Sequence, residues 1–240
     1  MNPNETIWNE AEKIYLQELV DFKGGIAAQW GFLERSQSLF YEHQREIFTE
    51  ILRMVSVISF RYKLSPDPVP NARCNQIYLE LREDLQWQGN FGLPDMKKKL
   101  HKLYLDDDYL SKRLPQKLFK ASDTAKKDLV RYIFCRIEEY KFGKTESWRE
   151  LIAESEATIE HLTAKKWRGK LANMTLLEKD INNRAADWLF EYKREIYQQS
   201  RFQITRELHQ KYQYFDGEEE LDERQRELTE LICQIWRIEF

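Results

Sequence analysis

Glu42, Glu46 and Glu50 stand four residues apart with His43 beside them, the nearest the chain comes to a row of metal ligands. On a helix that spacing stacks three carboxylates along one face. A di-metal helical bundle needs more, namely inward carboxylates and a Glu-x-x-His pair on partner helices. Neither Glu-x-x-His nor His-x-x-x-His occurs. Arg45 and Arg53 interleave with the ladder, as suits ion pairs on a solvated helix face. The other histidines (His101, His161 and His209) are isolated in sequence. The phosphate-binding, dinucleotide-binding, nucleophile-elbow and zinc-protease motifs are all missing. The Asp106-Asp107-Asp108 run falls where a helix should begin, and there it serves the helix dipole. No catalytic residue, metal ligand or cofactor is assigned from these patterns.

Cations offer a second chemistry. Residues 97–144 carry 14 basic and 7 acidic side chains, between more acidic flanks, although the whole chain is at −3. The candidates for contact with nucleic acid or an acidic partner begin with Lys97, Lys98, Lys99, Lys102, Lys112, Arg113, Lys126 and Lys127. Further on, Lys165, Lys166, Arg168 and Lys170 surround Trp167. Cations follow phosphates and an aromatic ring can stack on an unpaired base, so these segments have the ingredients of a nucleic-acid surface. No RRM, KH or helix-turn-helix signature accompanies them. Pairing with the acidic flanks of the same chain would use the same residues.

The third candidate is a protein interface. Ile26, Trp30, Leu33, Gln37, Phe40, Gln44, Ile47, Ile51, Met54 and Ile58 alternate gaps of four and three, the seam of a helix packed on other helices. One helix over 26–63 is expected, a rod of roughly 57 Å. From Ile47 to Phe60 apolar residues wrap most of the way round, which places that half deep in a core. The first half, with Trp30, Leu33, Gln37, Phe40 and Gln44, forms a narrower stripe suited to a partner or a second copy.

The elements that must carry these stripes are helical. Glu, Lys, Leu, Arg and Gln are abundant while Gly numbers 8 and Pro 6, which favours long helices over a sheet. Aromatic residues at 13% argue against disorder despite 33% charged residues. The expected fold is all-α, an elongated bundle of eight or nine helices. Its first helix should run over 5–22 behind an Asn4 cap, with a second long helix over 175–215 behind the capping-box pattern Thr175-Leu176-Leu177-Glu178. Another such pattern, Ser147 to Glu150, should open a helix that includes Ile159 and Leu162. The chain is expected to form a single domain, with a subdomain boundary in the loop 88–94. Three dispersed cysteines and the lack of an apolar span fit a cytoplasmic protein with no membrane span. Function follows as a non-enzymatic helical adaptor or complex subunit. The alternative is a nucleic-acid-binding subunit that uses 97–136 and the Lys165–Lys170 cluster.

Overall fold

The computed structural model describes residues 1–22, 27–87, 92–119, 124–143, 157–163 and 167–240. The fold is all-α: 69% of the described residues are helical, and among them are eleven helices beside one small two-stranded sheet. It divides into two compact units, Met1–Leu110 with Trp236–Phe240, and Ser111–Ile235. Most of loop 88–94 lies outside the described residues.

The first unit holds α1 (Glu10–Asp21), α2 (Ala27–Phe40), α3 (Arg45–Leu64), α4 (Asn71–Trp87) and α5 (Leu93–His101). Helix α1 starts later than its apolar pattern implies, because the cap is Asn9 and not Asn4. Asn9 Oδ1 accepts from the Glu12 amide and Glu12 Oε2 accepts from the Asn9 amide, both at 2.9 Å. That reciprocal box satisfies two end groups at once.

The single helix expected over 26–63 is two helices. A turn at 41–44 separates α2 from α3, and Gln44 takes φ −142° and ψ 50°. Long-range contacts account for the break. Arg45 donates from Nε to Glu12 Oε1 at 3.0 Å and from Nη2 to the Ile7 carbonyl at 2.8 Å, and the Tyr41 hydroxyl donates to the same carbonyl. Those bonds need a corner, and tertiary contacts override a continuous helical pattern. The stripe also rotates: α2 buries Gln29, Phe32, Leu33 and Ser36. Of the seam residues expected in α2, only Leu33 is fully buried. Helix α3 does lie deep, burying twelve of its 20 residues, among them every residue from Met54 to Arg61.

After α6 (Asp107–Arg113) comes the second unit, with a 3₁₀ turn (Leu114–Gln116) and α7 (Thr124–Phe142). Next are β1 (Ala157–His161), a second 3₁₀ turn (Leu171–Asn173) and β2 (Met174–Glu178). Four helices finish it: α8 (Lys179–Ala185), α9 (Phe190–Tyr197), α10 (Gln203–Lys211) and α11 (Glu218–Ile235). The helix expected over 175–215 is therefore a strand and three short helices. Ala157 pairs with Glu178 and His161 with Met174 in an antiparallel ladder. Glu178 then accepts from Ser200 Oγ at 2.8 Å and from the Arg201 amide at 2.5 Å. Ala186, at φ 41°, turns the chain between α8 and α9. The Ser147–Glu150 pattern lies outside the described residues, while Ile159 is in a strand.

Leu162, Leu177, Ile181, Phe190, Tyr197 and Phe215 form the heart of this unit's core. Two buried charged groups tie its elements together. Glu138 of α7 accepts from the Gln203 and Ile204 amides at 2.7 and 2.8 Å, capping α10. Arg224 of α11 donates to the carbonyls of Ala172 and Met174, each at 3.0 Å.

Candidate functional site

The two-stranded hairpin ends β1 on His161, and three polar side chains hold that end in place. Asn173, fully buried, accepts at Oδ1 from the Thr163 amide at 2.9 Å and from the Thr163 hydroxyl at 3.0 Å. It donates from Nδ2 to the Thr163 carbonyl at 3.1 Å. Asn182 of α8 donates to Thr158 Oγ1 at 2.7 Å and to the Ile159 carbonyl at 3.3 Å. Lys193 of α9 donates to Glu160 Oε1 and to the His161 carbonyl, both at 2.7 Å. The Tyr197 hydroxyl also donates to Glu160 Oε1, at 2.9 Å. The backbone on either side of His161 is thus fixed by hydrogen bonds from the second 3₁₀ turn, α8 and α9.

The imidazole itself is left available. Its Nε2 is buried and makes no hydrogen bond among the described residues. Burial lowers its pKa from the ordinary 6.5, and the positive charges of Arg168 and Lys193 lower it further against a smaller opposing pull from Asp187. At neutral pH the ring is therefore uncharged, with one nitrogen able to take a proton. Glu160 differs: its own burial outweighs Lys193 and Tyr197, and its pKa is raised.

Two cavities meet at His161. One, about 360 Å³, is polar and lined by Glu160, Arg168, Asn182, Asn183, Asp187 and Lys193 together with the histidine. The other, about 290 Å³, combines Lys126, Lys127 and Arg131 of α7 with apolar residues. An uncharged imidazole between cation-bearing cavities suits proton transfer beside a negatively charged substrate. No group of three or more His, Cys, Asp or Glu able to hold a metal ion occurs among the described residues.

The structure gathers only part of the basic set named from the sequence. Lys126, Lys127 and Arg168 come to the two cavities at His161. Trp167 packs partly buried on the core at φ 60°, and Lys170 donates to the Pro115 carbonyl at 2.7 Å. Lys165 and Lys166 lie outside the described residues. Lys112 is exposed on α6, where Arg113 donates to Gln116 Oε1 at 2.7 Å. Lys97, Lys98, Lys99 and Lys102 belong to the first unit. There Lys97 faces Glu50 at 3.7 Å and Lys99 faces Asp84 at 2.5 Å, while Lys98 and Lys102 are exposed. In α2 Trp30, Gln37 and Phe40 are half-buried, and Gln44 in the turn is exposed.

Sequence reasoning did not find Glu160, His161, Asn173, Asn182, Asp187 or Lys193. Lys193 lies 33 positions beyond Glu160, so no local spacing betrays the pair.

The family described as GmrSD restriction endonucleases, C-terminal domain, matches residues 104–231, more than half of the chain. The chain belongs to that family. The matched segment contains the hairpin, His161 and every residue of both cavities named above. No curated protein matches the chain. Membership points to a nucleic-acid-related function, and so to the alternative drawn from the basic segments over the protein adaptor. No helix among the described residues is long and apolar enough to cross a membrane.

Proposed function

We propose that this chain takes part in cleaving DNA, with His161 as the general base that activates water for attack on a phosphodiester. The observation that carries this reading is the buried, unpartnered Nε2 of an uncharged imidazole, set between two cavities that bear cations. The family's description as restriction endonucleases supplies the substrate class.

Each neighbour then has a task. Arg168 faces the negative charge that grows on the phosphoryl oxygens. Lys193, Asn173 and Asn182 act as positioning residues through the backbone around the base. The Asp187 carboxylate and the Asn182 and Asn183 amides give the polar cavity hard oxygen donors of the kind magnesium takes, so the assay includes that ion. The test is cleavage of duplex DNA, from several sources and with different base modifications, by wild type and by His161→Ala. Cleavage that His161→Ala abolishes while retaining the wild-type melting curve supports the reading. Equal cleavage by both proteins overturns it.

A further inference from the structure

The apolar-floored cavity is a site that the hydrolytic role of His161 leaves without a use. Helix α7 presents Lys127 and Arg131 to it four residues apart, with Lys126 alongside. Like charges at that spacing disfavour a helix unless an anion meets them, as Asp128 does for Arg131. Arg131 donates from Nη1 to Asp128 at 3.1 Å, yet its Nε is buried and makes no hydrogen bond among the described residues. Phe119, Val130 and Met174, all nearly inaccessible to solvent, line the same cavity. A ligand that satisfies both kinds of lining carries a negative charge and a compact apolar body.

Size and position narrow the choice. About 290 Å³ lies at the lower edge of the roughly 300–1,000 Å³ usual for ligand pockets, enough for one nucleotide unit and too small for a duplex. His161 and Ile159 line this cavity and the polar one alike, so a strand attacked at His161 continues directly into it.

We propose that this cavity holds the sugar–phosphate unit next to the scissile bond, with the phosphate on Lys127 and Arg131 and the sugar on Phe119, Val130 and Met174. The proposal rests on the DNA-cleaving reading of His161, and its test separates the two. Labelled duplex DNA is titrated by fluorescence anisotropy against His161→Ala and against the same protein with Lys127→Gln and Arg131→Gln. The double glutamine change is expected to weaken binding roughly tenfold and to make the salt dependence shallower by about one to two phosphate contacts. Unchanged affinity with an unchanged salt slope overturns the subsite, whatever the cleavage assay gives. Weakened binding beside a wild type that cuts no DNA keeps the subsite as a DNA contact and overturns hydrolysis alone. Should the double change unfold the protein, Lys127→Glu alone gives the same readout, because Lys127 is only half-buried.

Discussion

Lys193 Nζ lies 2.7 Å from Glu160 Oε1, and the two side chains are 1% and 5% exposed. Sealing a charge pair from water costs each ion its hydration, and removing one partner leaves the other uncompensated. Lys193→Met is therefore expected to lower stability by about 3–5 kcal/mol. Adding Glu160→Gln should restore much of that loss, since the orphaned carboxylate is gone while an acceptor for Tyr197 remains. Urea unfolding of the single and double variants measures this. A double variant no more stable than Lys193→Met would show that the pair is not the cause.

The pH response of cleavage should follow the imidazole. With its pKa below the ordinary 6.5, His161 stays unprotonated at neutral pH, and the acid limb of kcat/KM should fall below 6.5. Arg168→Ala removes one of the charges that lower this pKa, so the limb should move towards higher pH. Stability has the same sign. The unfolded chain binds a proton at His161 more readily than the fold does, so this contribution is complete above pH 6.5 and drains away as the pH falls. A limb that stays in place in Arg168→Ala would argue that another group titrates.

Asn173 offers a test of positioning. Asn173→Ala removes three hydrogen bonds to Thr163, two of them to its backbone, at roughly 0.5–1.5 kcal/mol each. Cleavage should drop along with stability, because the turn that follows His161 loses its brace. Thr163→Ala removes the hydroxyl bond to Asn173 and keeps both backbone bonds, and it should cost less on both counts. The two variants, compared by melting temperature and by kcat, rank the contributions.

In the first unit Arg61 is fully buried, donating to the carbonyls of Trp236 at 2.5 Å and Leu105 at 2.7 Å and to Asp107 at 2.7 Å. Its guanidinium also stacks over Tyr104, 4.4 Å from the ring centre. A lysine cannot reproduce that planar fork. Arg61→Lys should cost roughly 1–3 kcal/mol for each carbonyl left unpaired, read from the urea midpoint. A midpoint equal to wild type would mean that the ammonium replaces all three bonds.

The helical class was legible because scarce glycine and proline and the wide apolar face of α3 all favour one answer. Helix ends and breaks were not. The four-three spacing runs through the turn at 41–44 without interruption, and only Glu12 and the Ile7 carbonyl, distant in sequence, explain why Arg45 starts a new helix. The hairpin escaped for a related reason. Thr175-Leu176-Leu177-Glu178 fits a capping box as well as a short strand, and pairing with β1 decides between them. Lys126, Lys127 and Arg168 could be picked out by charge alone. His161 could not, since the environment that makes its Nε2 useful comes from β2, α7, α8 and α9 together.

Arg224 adds a consequence for variation. Its guanidinium grips the carbonyls of Ala172 and Met174, groups that every amino acid supplies alike. The bond therefore places no demand on the identity of either residue, while it demands a planar two-pronged donor at position 224 in full. In a library of all single substitutions, position 224 should be nearly intolerant, and the limits at 172 and 174 should be set by side-chain volume alone. The strand that carries the site's return path can thus drift in sequence as long as one distant arginine stands still.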